Sequence, residues 1–237
     1  MGLISLPPEL RAVFAPQFFG STAYYAVLSM FVSATIHGGM RADKRFKSAH
    51  RCSIVDTRGP LALTIPVRSP GGRCSWSEVK VSDHGEWWHK HLTALESAYG
   101  RTPFFEFYID RLRPIFTKPD DYLTVSELDR QADEIVRKIL GFDSHIDWDD
   151  KKETEVKDLD FTKFDFKTVE SVSYYQVRAD RLGFFPYLSI LDLIFNVGPE
   201  APLILKKMAE PLSRQLLSQS IDSTRSCSII SSADMRR

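Results

Sequence analysis

LRAVFAPQFFGSTAYYAVLSMFVSATI, residues Leu10–Ile36, decides the fold. Leu10–Ala15 is a short apolar run stopped by Pro16, the pattern of a buried strand. Ser21–Met30 reads as a helix behind the small residues of a turn, and Phe31–Ile36 is a second strand. Strand, helix and strand in this order make a β-α-β unit, whose two strands run parallel and whose faces need covering. No Asp, Glu, Lys or Arg occurs between Arg11 and Arg41, a length that would allow a membrane span. Pro16, Gln17, Gly20, Ser21 and Thr22, then Ser29, Ser33 and Thr35, interrupt that run and favour a buried β-α-β start.

Outward from this unit, two or three strands are expected over Cys52–Thr57, Pro60–Arg68 and Cys74–Val81, the last two joined as a hairpin by Ser69-Pro70-Gly71-Gly72. Pro66 lacks a ladder donor and marks an edge or a bulge. Three helices follow: Asp83–Tyr99, Pro103–Phe116 behind a Thr102 cap, and one from the Thr124/Glu127 capping box to Gly141. Residues 143–167, rich in Asp and Lys, read as a charged surface connection holding a short strand near His145–Trp148. LSILDLIFNVGPE (Leu188–Glu200) is a short buried helix, and another runs from Glu200 to about Leu217. The expected fold class is α/β: a single domain over 1–217 with a mixed, partly parallel sheet packed by helices. A Ser-rich stretch, 218–237, is expected to be a disordered tail.

The 237 residues are 43% hydrophobic and 26% charged with zero formal net charge. A neutral chain lacks the broad positive field of a general nucleic-acid or anionic-membrane binder. Cys52, Cys74 and Cys227 have no paired spacing and read as reduced thiols of a cytoplasmic protein. Glu9 and Arg11 interrupt any apolar stretch that could serve as a signal peptide.

Three groups of residues could carry chemistry. Arg41, Lys44, Arg45, Lys47, His50 and Arg51 form a basic segment suited to a phosphate or carboxylate, or simply to a solvated edge. His91 lies on the apolar stripe of its helix beside Trp88 and Leu95, a core position or a general base. The histidines of HGEWWHKH (His84–His91) lack metal-ligand spacing, and no metal or cofactor is expected. Ser189, Asp192 and Asn196 share one face of the last short helix, with Ser189 and Asp192 spaced as a capping box. A buried Asp and Asn must find partners there. Cys52 and Cys74 each follow an arginine, a placement that can lower a thiol's pKa, but neither sits at a strand-to-helix elbow. Phosphate-loop and dinucleotide fingerprints are absent.

Taken in order, Ala15-Pro-Gln-Phe-Phe with Tyr24-Tyr25, Lys44-Arg45 with His50-Arg51, and Thr64-Ile-Pro-Val resemble the WbqC-like protein family. So do Trp88/Lys90-His91/Tyr99, Pro103-Phe-Phe, Tyr175-Gln176 and LSILDLIFNVGPE, which carry the resemblance from about Pro8 to Met208. It implies amino-acid or acyl transfer, glycine being one candidate, to an amino-sugar or sugar-nucleotide intermediate of O-antigen or related polysaccharide. The partners implied are that substrate and an aminoacyl donor. On this reading Arg45 and Arg51 grip the anion, and Gln17 and Tyr25 line the acceptor pocket. Lys44, His50 and Tyr175 also contact substrate. His91 takes a proton from the attacking amine, Asp192 orients a partner, and Asn196 donates to the polarised carbonyl. Departures at the first turn and at His50 point to a different substrate. The alternative is a non-catalytic binding or scaffold protein of the same assembly system.

Overall fold

The computed structural model describes residues 6–43, 46–68, 70–150 and 159–233. The first unit is β1 (Ala12–Phe14), α1 (Thr22–Leu28) and β2 (Ser33–His37), close to the expected spans. Every residue of β1 and α1 is buried, which explains their largely apolar sequence. Ser21 caps α1 by accepting the Tyr24 N–H at 3.1 Å.

β3 (Arg51–Asp56) and β4 (Gly59–Thr64) form an antiparallel hairpin that turns at Thr57-Arg58. The expected strand Pro60–Arg68 thus divides at Pro66, whose nitrogen cannot donate and whose carbonyl instead accepts the Ser82 N–H at 2.8 Å. Past the break only β5 (Val67–Arg68) continues, paired with β6 (Lys80–Val81). Most of the expected Cys74–Val81 strand is loop.

α2 (Trp87–Tyr99) starts later than expected because Gly85 (φ 71°) and Glu86 (φ 48°) are left-handed. α3 spans Phe105–Leu112; Thr102 does not cap it but donates back to the Tyr99 carbonyl at 2.7 Å. α4 (Val125–Leu140) matches its signals, with Thr124 accepting the Glu127 N–H at 3.2 Å and Gly141 left-handed at φ 66°. β7 (His145–Asp149) and β8 (Leu159–Asp160) follow, then the single turn α5 (Ala179–Leu182), α6 (Ile190–Val197) and α7 (Ala201–Ala233). α7 contains Pro211 and passes the expected end at Leu217.

The fold is α/β, built on a four-stranded sheet in the order β7-β2-β1-β8 with every described pair parallel. Among the described residues, antiparallel pairing occurs outside this sheet, in two separate two-stranded ladders and in isolated bridges. β8, inside the stretch read as a surface connection, was not anticipated. It adds to β1 through the Leu159 and Phe161 N–H groups, bonded to the Arg11 and Val13 carbonyls at 2.9 and 2.8 Å. Phe161 then stacks on fully buried Phe14 at 5.1 Å. The chain therefore steps from β1 to β2 to β7 in one direction and returns to the far side of β1. The crevice outside the carboxyl ends of β1 and β8 is the point where strand order reverses, the usual ligand position in an open parallel sheet. Among the described residues, no helix is long and apolar enough to cross a membrane.

Candidate functional site

A cleft of about 470 Å³ opens at that reversal. The turn after β1 contributes Gln17, Phe19, Gly20 and Ser21, and the segment after β8 contributes Phe164, Asp165, Phe166 and Lys167. Phe46, Lys47 and Ser48 with Arg51, Cys52 and Ser53 of β3 form another wall, and Tyr187 and Ser189 complete it.

The floor is made where two helices begin. Ser21 and Ser189 form an isolated antiparallel bridge, through Thr22 N–H to Leu188 O at 2.9 Å and Ile190 N–H to Gly20 O at 2.8 Å. Ser189 also donates its hydroxyl to Phe19 O and its N–H to Ser53 O, both at 2.8 Å, so one residue ties three walls together. Phe19 (φ 42°) and Tyr187 (φ 60°) are both left-handed, a costly conformation for bulky residues. Strain held by a surrounding network gathers at functional sites, and both residues line this cleft. Gly20 leaves room beside Gln17: a Cβ there would come within 3.1 Å of Gln17 Oε1 and 2.8 Å of the Tyr24 ring.

Lys47, Arg51 and Lys167 bring three positive charges to the cleft, and among the described residues none of them is in an ion pair. Arg51 is steadied by its Nε bond to Thr64 Oγ1 at 2.8 Å, which leaves its terminal nitrogens for other partners. Asp165, the one carboxylate among the described lining residues, accepts the Lys167 N–H at 3.1 Å and shapes its own turn. Burial pushes the Cys52 thiol up to about 12, against the Ser189 hydroxyl that favours its thiolate. Cys52 is therefore a protonated thiol at neutral pH and no nucleophile; burial outweighs the neighbouring arginine that suggested otherwise.

Of the residues expected to form the site, Gln17 and Arg51 line the cleft. Lys44 and Arg45 lie outside the described residues. His50 leans on Trp76 with ring centroids 5.8 Å apart; burial first, then Arg51, lowers its pKa. Tyr25 is buried on α1 and donates to Asp133 at 3.3 Å, away from the cleft. Asp133 also accepts Arg137 Nε at 2.8 Å. Tyr175 is exposed and outside the lining, while its neighbour Tyr174 is turned inward.

His91, expected as a base, is 5% exposed between Trp87, Phe18 and Phe116, with ring centroids at 5.2, 6.3 and 6.5 Å. Burial lowers its pKa to about 4, and it does not line the cleft. Asp192 is equally committed elsewhere. Its carboxylate accepts Tyr174 Oη at 2.7 Å, Tyr99 Oη at 2.8 Å and Gln176 Nε2 at 2.9 Å. The capping box is therefore absent; Ser189 caps through Leu191 N–H at 3.3 Å and Asp192 reaches across to other segments. Asn196 donates to the Asp192 carbonyl at 2.7 Å and accepts the Val177 N–H at 2.9 Å. The polar line of α6 fastens residues 174–177 to the core.

Lys167, Phe164, Phe166 and Tyr187 escaped the sequence reading. Three phenylalanines in the otherwise charged run Phe161–Lys167 were the available signal, since solvated connections rarely carry so many rings. No group of three or more His, Cys, Asp or Glu that could hold a metal ion occurs among the described residues.

Comparison with known proteins bears on residues at this cleft. The family model described as the WbqC-like protein family matches residues 44–162, which include the basic turn, the β3–β4 hairpin and α2 to β8. A Mycobacterium tuberculosis protein, described as uncharacterized protein Rv1507c, is 26% identical over 214 residues, covering 77% of this chain and 91% of that one. No solved structure matches. With half its length under the family's pattern, and with Lys47 and Arg51 inside the matched part, the chain belongs to the WbqC-like protein family.

Proposed function

We propose that the protein is a transferase acting on an anionic amino-sugar or sugar-nucleotide intermediate of O-antigen or a related surface polysaccharide, in the cytoplasm. The observation that carries the reading is the cleft at the strand-order reversal, walled by aromatic rings and holding, among the described residues, three cations against the one carboxylate of Asp165. Lys47, Arg51 and Lys167 hold the substrate's anion, and Gln17 offers an amide to its polar groups. In the transfer, the substrate's amine nitrogen forms a bond to the carbonyl carbon of an activated aminoacyl or acyl donor. The bond to the donor's carrier breaks, the carrier leaves with the electron pair, and the amine's proton passes to water in the open cleft. Positioning of the two reactants supplies the acceleration.

A non-catalytic binding protein is the second reading. Three side chains favour it: His91 and Asp192 are engaged away from the cleft, and Cys52 within it is held as a thiol. Incubation with UDP-linked amino sugars and aminoacyl donors, followed by mass spectrometry, separates the two. The transferase reading expects an amino sugar heavier by one acyl group, lost in Arg51→Ala. Sugar binding without any product across the donors establishes the binding role, and neither binding nor product removes both.

A further inference from the structure

We infer that the anion held in this cleft is the phosphate of a sugar phosphate or sugar nucleotide, clamped by Lys47, Arg51 and Lys167, with the sugar ring against Phe166 and Tyr187. This rests on the ligand-binding reading above and goes beyond it in choosing a phosphate ester over a carboxylate.

The charge of the cleft makes the choice. Among the described lining residues three cations face one carboxylate, an excess of two positive charges at one place in a chain whose formal net charge is zero. A sugar carboxylate cancels one of them, whereas a phosphate monoester or a pyrophosphate brings close to two negative charges and several acceptor oxygens. Lysine also suits a compact phosphate as a point charge, and arginine adds a fork of donors.

The cations come from two turns that are each tied down. Lys47 and Arg51 flank one turn, whose Ser48 carbonyl accepts the Phe18 N–H at 2.9 Å and whose Ala49 is fully buried. Lys167 sits on a turn closed by Asp165, whose side chain accepts Lys167 N–H and whose carbonyl accepts the Thr168 hydroxyl at 2.7 Å. Phe166 of that turn packs edge-on to Tyr24 with centroids 5.3 Å apart, and Tyr187 is fixed by its hydroxyl bond to Val169 O at 3.1 Å. The turns that carry the clamp are preformed, so binding has chiefly the two exposed lysine side chains to order. A cleft of about 470 Å³ accepts a sugar with its phosphate.

Calorimetry on the full chain tests this with N-acetylglucosamine 1-phosphate, UDP-N-acetylglucosamine, glucuronic acid and N-acetylglucosamine. The phosphate probes are expected to bind at least about tenfold tighter than glucuronic acid, and more weakly as salt rises. Lys167→Ala and Lys47→Ala, both at exposed positions, should each weaken the phosphate probes by about tenfold. Glucuronic acid binding as tightly as either phosphate probe, or unchanged phosphate affinity in both lysine variants, overturns the inference. If glucuronic acid alone binds, the cleft is an anionic-sugar site and only the phosphate assignment fails. If no anionic sugar of either kind binds, the proposed function fails with it.

Discussion

His91→Phe should remove a large part of the protein's acid sensitivity. The native imidazole, packed among Phe18, Trp87 and Phe116, titrates at about 4 because of its burial, and in the unfolded chain it returns to an ordinary value of about 6.5. Between those values the unfolded chain holds the extra proton, so stability falls as the pH falls from about 6.5 toward about 4. For a single site with these two values, the loss at pH 4.5 relative to pH 7.5 is about 2.5 kcal/mol. Phenylalanine keeps the ring-on-ring packing and cannot be protonated; losing the imidazole's hydrogen bond to the Thr64 backbone costs about 1–3 kcal/mol, which lowers stability at neutral pH without adding to the acid sensitivity. Urea unfolding followed by circular dichroism at both pH values reads the difference, as does a relative shift in Tm of about 5–10 °C. Carboxylates that titrate over the same range are common to both proteins and cancel in the comparison. Identical pH dependence in the two proteins would refute the assignment of His91 to the core. So would a folded variant that has lost its affinity for the cleft's ligand, because that result makes the imidazole part of the site.

Two further outcomes follow from buried carboxylates. Tyr174→Phe removes the 2.7 Å bond to Asp192, whose pKa burial raises and its hydrogen-bonding partners hold down. It should cost about 1.5–3 kcal/mol at pH 7, and less at pH 4, without changing ligand affinity; an unchanged urea midpoint, or lost binding in a folded variant, contradicts a purely structural network. Asp129 on α4 is fully buried with neither oxygen bonded, and burial first, then Asp133, raises its pKa well above the ordinary carboxylate range. The folded chain holds this proton more tightly than the unfolded chain does, so stability drains as the pH rises above about 4. Asp129→Leu should therefore leave neutral-pH stability unchanged or raise it by roughly 1–3 kcal/mol. Asp133→Leu, which strands Tyr25 and Arg137, should cost about 3–5 kcal/mol. Denaturation at pH 7 that ranks these two variants the other way defeats the account.

What the sequence showed was local. The β-α-β start, the Thr124 cap with its Gly141 stop, and the buried helix over Ile190–Val197 all depend on signals within a few residues of each other. Pairing depends on distant partners, and there the reading faltered. Leu61, Leu63, Ile65 and Val67 alternate smoothly through Pro66, yet the strand breaks because that proline cannot donate. The polar line of α6 was visible as groups in need of partners, but Tyr99 and Tyr174 supply them from elsewhere in the chain, and that supply makes the line structural. The same limit hid the cleft. Its place follows from β8 crossing to the far side of β1, and β8 is two residues long, too short for periodicity to register. It is held by Phe161 stacked on Phe14, and the turn beyond it carries Phe166 and Lys167. A charged run with rings at intervals is thus anchored by its rings and presents its charges. Here that means a cation delivered to the carboxyl end of the central strand, opposite an arginine more than a hundred residues earlier in the chain.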